Sequence, residues 1–311
     1  MNLNQLAKTG VWHFTDGMSA RESGEFAARV ESLGYSALWV PDAIGRDPFV
    51  NCGTLLNATT DLIVATGIAN IWVRHPNAMV QGALSLAELS GDRFLLGIGV
   101  SHQPSVEGVQ GIPFGKPLAT MTAYLETMSK ATWRGPETEM PPIVIAALGP
   151  KMLELSRDAS AGAHPYWSTP EHTAQAAEIL GPDSLLCVEQ KVCLTTNPEV
   201  GRAKGAEQLA IYSRLPNYRN SWKRMGFTEE QIASNDPTFV DAVFAWGDVD
   251  ALQARVDAHY AAGDTTFASS PFTPQPSEAP STGTCSRHSP RANRPHRQET
   301  REPAGSYVGR T

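Results

Sequence analysis

The sequence predicts an α/β fold, a (β/α)8 barrel. Three observations predict it. Short runs rich in β-branched and aromatic residues alternate with amphipathic stretches through the first 263 residues. The chain's 311 residues fit one large barrel. No GxGxxG follows the first strand run, which argues against a doubly wound open sheet.

The strand runs are 10–14 (GVWHF), 36–40 (SALWV), 62–68 (LIVATGI), 93–99 (RFLLGIG), 142–148 (PIVIAAL), 162–166 (GAHPY) and 185–194 (LLCVEQKVCL). They read as buried parallel strands. Helices are expected at about 19–33, 48–59, 76–90, 115–132, 150–160, 170–180, 197–213 and 249–262. In the first, Phe26, Ala27, Val30 and Leu33 share one face. Pro170 opens another, with Thr169 as its cap. A long segment at about 214–247 reads as an insertion. Seven βα units and a final helix call for an eighth strand after Gly263.

The segment 264–311 breaks the pattern. It contains no lysine, leucine or isoleucine, and Ser, Thr, Pro and Arg dominate it. Six arginines face four acids there. Such a segment buries too little surface to offset its ordering entropy, so a disordered tail is expected. The folded domain is then residues 1–263, with a last strand that lacks the aliphatic residues of a barrel interior.

Composition narrows the function. Hydrophobic residues are 41 %, charged residues 18 %, and the net charge is −7. A mildly acidic chain with no basic run longer than two residues is not expected to bind nucleic acid. No apolar run approaches the roughly 20 residues that span a bilayer, and MNLNQLAKTGVWHF lacks the pattern of a signal peptide. A cytoplasmic location is expected. The cysteines Cys52, Cys187, Cys193 and Cys285 form no CxxC, and no metal site is expected.

In a barrel, function sits at the C-terminal strand ends. Those ends carry Trp12-His13-Phe14, Pro41-Asp42, Gly67-Ile68-Ala69-Asn70 with Trp72 and Arg74 beyond, and Gly97 to His102. They continue with Ala147-Leu148-Gly149-Pro150-Lys151, then His164-Pro165-Tyr166-Trp167, then Glu189 and Gln190. No close carboxylate pair, metal set or GxSxG elbow is present. The mixture suits a planar cofactor that brings its own chemistry. Gly67, Gly97 and Gly99 would let a ring approach the backbone. Gly149-Pro150-Lys151 opens a helix whose free N–H groups would hold a phosphate. Each signal alone also fits a structural role. Trp12 and Trp72 suit core or pocket, Asp42 suits a helix cap, and His102 and His164 suit a packed interior.

Together, LWVPD, TGIANIWVRHP, LSGDRFLLGIGVSH, AALGPKMLELSRDASAGAHPYWSTPEHT and PNYRNSWKRMGF…VDAVFAWGD resemble the luciferase-like monooxygenase superfamily. The resemblance runs from about residue 6 to 263, and is narrowest to its branch of coenzyme F420-dependent oxidoreductases. It implies a barrel that binds a flavin-like ring at its mouth, with F420 as cofactor and FMN as the alternative. It implies hydride transfer to or from a small organic substrate, against an FMN-dependent monooxygenase or a non-catalytic cofactor-binding barrel. It also places a non-proline cis peptide at Gly67-Ile68 or Ile68-Ala69, beneath the ring. The cofactor residues it implies are Asp42, Gly67, Ile68, Ala69, Asn70, Ser101, His102, Leu148, Gly149, Pro150, Lys151 and Met152. Several deazaflavin dehydrogenases of the superfamily place a histidine directly after the acid, and here that position is Ala43. Any acid or base must come from elsewhere, with His13, His102, His164 and Tyr166 as candidates. A homodimer is the expected assembly. After Gly263 the family continues with a strand resembling ADHVCLQPL. A shifted reading frame with GC-rich codons yields RHHVCLQPL here, so a frameshift is the expected origin of the tail.

Overall fold

A computed structural model of the chain describes residue 6 and residues 9–272. In chain order the elements are β1 (Gly10–Trp12), α1 (Ala20–Ser32), β2 (Ala37–Val40), α2 (Pro48–Asn57), β3 (Ile63–Thr66), β4 (Ala69–Asn70) and α3 (Pro76–Ser90). Next come β5 (Phe94–Gly99), α4 (Gln103–Gly108), α5 (Pro117–Met128), β6 (Ile143–Ile145), α6 (Pro150–Ala159), β7 (Gly162–Ala163) and α7 (Pro170–Leu180). The strand expected at 185–194 is broken into β8 (Leu185–Leu186) and β9 (Glu189–Leu194). Then follow α8 (Pro198–Tyr212), α9 (Pro216–Arg224), α10 (Glu229–Ser234), α11 (Pro237–Val243), β10 (Ala245–Gly247), α12 (Val249–Ala261) and β11 (Ala268–Phe272).

Every strand pairing is parallel. The ladder runs β1, β2, β3, β5, β6, β7, β8 on one side. On the other side β1 pairs with β11, and β11 with β9. Because β8 and β9 are two halves of one run, the eight strands close into a barrel, which removes both free sheet edges. Side chains alternate between its interior and the helical layer. Trp12, Trp39, Ile63, Ala65, Leu95, Val144 and Leu185 pack inside, while Leu38, Val40, Val64, Phe94, Leu96 and Ile98 pack against the helices.

Local chemistry sets the helix ends. Ser19 and Glu22 form a reciprocal capping box on α1, and Asp47 accepts from Phe49 N and Val50 N on α2. Thr169 caps α7 through His172 N, as its position predicts. Leu33, placed on the buried face by spacing, is 56 % exposed just past α1. The 214–247 insertion is folded. Its helices α9, α10 and α11 share a core of Trp167, Leu215, Tyr218, Trp222, Ile232, Phe239 and Phe244. Among the described residues no helix is long and apolar enough to cross a membrane.

The boundary drawn after Gly263 needs correction. The backbone continues into the barrel, with Gly10 N donating to Phe267 O at 2.7 Å and Ala268 N to Val188 O at 2.8 Å. The reason is geometric. Phe267 faces α12, packing on His259 and Tyr260, while Ala268 and Ser270 face inward. The interior at this level is already filled by Trp12 and the stem of Lys191, so small side chains suffice where aliphatic ones were expected. Residues 273–311, most of the expected disordered tail, and Cys285 with them, lie outside the described residues.

Candidate active site

A cavity of about 420 Å³ opens at the C-terminal strand ends, within the size range of small-molecule sites. Trp12, Asp42, Gly67, Ile68, Ser101, His102, Leu148, His164 and Tyr166 line it, joined by Ala43. Its outer wall comes from the end of α8 and the start of α9, with Ile211, Tyr212, Leu215, Asn217 and Tyr218. Phe14, Ile44 and Val100 add apolar surface.

The floor is the turn after β3. The Gly67-Ile68 peptide is cis. Trp12 Nε1 donates to Gly67 O at 3.0 Å, Gly67 N donates to Val40 O, and Asp42 N to Ile68 O. A Cβ on Gly67 would stand 2.7 Å from Trp12 Nε1 and 3.1 Å from His164 Nε2, so only glycine leaves this floor flat. Asp42 Oδ2 accepts from Asn70 N at 3.0 Å and lies 3.5 Å from Arg74. Burial pushes its carboxyl above the usual range, opposed by that N–H and by Arg74. Ala69 and Asn70 form β4 and are buried, but neither lines the cavity. The Asn70 amide instead holds Gln110 and Trp72 N.

The four acid–base candidates separate. His164 is fully buried and stacked on Trp39, with ring centroids 4.5 Å apart. Its Nδ1 lies 2.6 Å from Cys187 O, so Nδ1 carries the proton and Nε2, which has no partner among the described residues, presents a lone pair beside Gly67. Burial lowers its pKa to about 4, so near neutral pH it accepts hydrogen bonds and is no acid. His102 lies on the cavity wall at the start of α4, near Tyr218, and burial lowers its pKa as well. His13 does not reach the cavity. It points away from the barrel interior and packs on Phe26 of α1, because its neighbour Trp12 faces inward. The Tyr166 hydroxyl accepts from Lys191 Nζ at 2.7 Å and meets Tyr212 OH at 3.0 Å.

Leu148 lines the cavity, and α6 begins directly beyond it at the rim. Gly149 is its N-cap and, among the described residues, no side chain caps it; Pro150 has no N–H and Met152 N turns back to Gly149 O, which leaves the Lys151 N–H for a ligand. Pro150 occupies the first helical position, Lys151 is exposed, and Met152 packs into the core. The Arg224 guanidinium stands 3.4 Å from Leu148 O, and as near to where a Gly149 Cβ would be. The sequence reading missed this cation, and also Tyr212, Tyr218 and Lys191. Arg224 and Tyr218 lie in PNYRNSWKRMGF, one of the stretches that carry the resemblance, yet only the folding of the insertion brings them to the rim. Lys191 was detectable as the i+2 partner of Glu189 on one strand face. Among the described residues no cluster of His, Cys, Asp and Glu could hold a metal.

A match to the luciferase-like monooxygenase family model covers residues 1–266. A Mycobacterium tuberculosis protein, whose name assigns it to the coenzyme F420-dependent oxidoreductases, is 25 % identical over 305 residues, covering 78 % of this chain and 88 % of its own. The structure of an F420-dependent secondary alcohol dehydrogenase with an F420-acetone adduct superimposes with a TM-score of 0.68 at 14 % identity, covering 86 % of this chain and 94 % of its own. The oxygenating constituent of a Pseudomonas putida diketocamphane monooxygenase, in complex with FMN, superimposes with a TM-score of 0.63 at 16 % identity, covering 85 % and 92 %. At those identities the superpositions establish the fold. With the family model matched over most of the sequence, the chain belongs to the luciferase-like monooxygenase family.

Proposed function

We propose that this chain is an oxidoreductase that moves a hydride between coenzyme F420 and a small, uncharged organic substrate. One observation carries the reading: a glycine-floored apolar cavity lies beside an uncapped helix N-terminus flanked by a cation. A flat ring fits the floor at Gly67-Ile68. The unpartnered Nε2 of His164 offers that ring an acceptor, and α6 with Arg224 offers its phosphate a cradle. The named mycobacterial relative supports F420 over FMN. FMN carries the same kind of ring and ribityl phosphate and is the second reading, supported by the FMN-bound neighbour.

When bound, the deazaflavin supplies or takes the hydride. The chain does the rest. Gly67 and Ile68 would hold the ring, Trp12 fixes the Gly67 carbonyl, and Asp42 with Asn70 holds the adjoining turn. Ser101 and His102 line the cavity, and Phe14, Ile44 and Leu215 give its rim an apolar surface. His102 and Tyr166 are the groups placed to exchange a proton with substrate. The cytoplasmic homodimer expected from the sequence belongs to the same proposal.

Gly149→Asp tests the phosphate end. A carboxylate at the start of α6 opposes a phosphate and meets the Arg224 guanidinium first. The dissociation constant for F420 is expected to rise at least about tenfold, about 1.4 kcal/mol. An unchanged constant in folded protein would remove α6 from the site.

A further inference from the structure

Lys191 and Glu189 form a charged pair inside the barrel. Their side chains are 1 % and 0 % exposed, and Lys191 Nζ lies 3.4 Å from Glu189 Oε1. Five rings surround the ammonium. Its nitrogen is 4.6 Å from the Tyr166 centroid, 5.1 Å from Trp12, 5.2 Å from both Trp167 and Phe272, and 5.9 Å from Tyr212. Burying such a pair gains little stability, since well-packed apolar residues often do as well. Glu189 is also held by the Ser270 side chain and the Trp167 backbone, and among the described residues the other hydrogen bond of the Lys191 ammonium goes to the Tyr166 hydroxyl, at 2.7 Å. That contact fixes the phenol's direction. Its oxygen accepts from the ammonium below, so its own proton is free for Tyr212 or for a molecule in the cavity that the Tyr166 ring lines.

We infer that Lys191, held by Glu189, is a positioning residue that makes the Tyr166 phenol the proton donor to substrate. This rests on the hydride-transfer reading above. A substrate carbon accepts the hydride with its electron pair from the reduced deazaflavin, which is left oxidised, and the neighbouring heteroatom gains the negative charge. The O–H bond of Tyr166 then breaks, and its proton goes to that heteroatom. The electron pair stays on the phenol oxygen, and the Lys191 ammonium holds the phenolate by a charge-assisted hydrogen bond until water returns the proton. The titratable groups around the ammonium are Glu189 on its own strand, Tyr166 after β7, Tyr212 on α8, and Tyr218 on α9 beyond them. The aromatic wall from Trp12, Trp167 and Phe272 adds no ionisable group.

The test needs no substrate. Tyr166 is replaced by 3,5-difluorotyrosine, and its ionisation is followed by fluorine NMR in the ligand-free protein. Lys191→Met is expected to raise the phenol's pKa by at least about one unit, a tenfold change in proton affinity. The double variant Lys191→Met with Glu189→Gln leaves no unpaired buried charge; it also removes the carboxylate that holds the phenol's pKa up, so a smaller rise in the same direction is expected, readable even if the single variant fails to fold. A pKa unchanged within about 0.3 unit in the double variant would overturn the inference. So would a rise confined to the single variant, because that traces to the uncompensated Glu189 charge. F420 affinity of the double variant is expected to stay within about twofold of the parent, since Lys191 does not line the cavity. A tenfold loss there would make the pair part of the cofactor's seat and overturn the inference. Failure of the parent protein to bind F420 would count against the hydride-transfer reading and leave the phenol measurement standing.

Discussion

Phe267→Ala separates a folded eighth strand from a segment that carries no structure. Phe267 is fully buried, with its ring 5.4 Å from His259 and 6.3 Å from Tyr260 on α12. Its carbonyl accepts from Gly10 N, so the same residue ties β11 to β1. Truncating a buried phenylalanine to alanine costs about 3–5 kcal/mol, from lost transfer free energy and the cavity left behind. Typical total stabilities are about 5–15 kcal/mol, so a loss of this size is a large share of the whole. Urea unfolding followed by tryptophan fluorescence measures it, because the chain's seven tryptophans include Trp12 and Trp39 inside the barrel. Pro271→Ala is the control. Pro271 is exposed and donates no backbone hydrogen bond, so its change is expected to stay within about 0.5 kcal/mol. A loss below about 1 kcal/mol for Phe267→Ala would mean that the residues after Gly263 do not complete the barrel.

Two further predictions concern Asp264 and Gly67. Asp264 is buried, with Oδ1 accepting from Val188 N and Thr266 N while Oδ2 has no partner among the described residues, and burial raises its pKa from 3.8 to about 8. Between those values the folded protein keeps a proton that the unfolded chain releases. Stability therefore falls as pH rises through that window, by on the order of 1 kcal/mol per unit. Asp264→Asn is expected to abolish that part of the slope and to be the more stable form at pH 8; equal slopes in a melting-temperature series would contradict this. Gly67→Val would crowd Trp12 Nε1 and His164 Nε2 and raise the floor. It is expected to weaken ring binding more than about tenfold with the circular dichroism spectrum retained, and unchanged affinity would move the ring's seat elsewhere.

The sequence made the strand ends legible because buried parallel strands are short, apolar and followed by chemically distinctive turns. Asp42, Gly67, Ile68, Ser101, Leu148, His164 and Tyr166 reach the cavity from such positions. Strand periodicity, applied more strictly, would have excluded His13, since Trp12 and His13 cannot both face inward. The same rule would have paired Glu189 with Lys191. The outer wall was illegible for a different reason. Tyr212, Tyr218 and Arg224 reach the mouth only through the tertiary packing of α8 and α9. The eighth strand was misread because aliphatic content stood in for strand character. The family match stops at residue 266, yet the pairing continues through Phe272. There the neighbours' bulk, and not the strand's own, fills the interior.

In the proposed function the cavity seats a deazaflavin. Titrating the purified protein with F420 and, separately, with FMN tests it most directly, with ring fluorescence and absorbance as readouts. Saturable binding of F420 at one site per chain is expected, tighter than FMN and weakened by Gly149→Asp. Tight binding of FMN with no binding of F420 would contradict it and make the chain a flavin-dependent monooxygenase of the same fold.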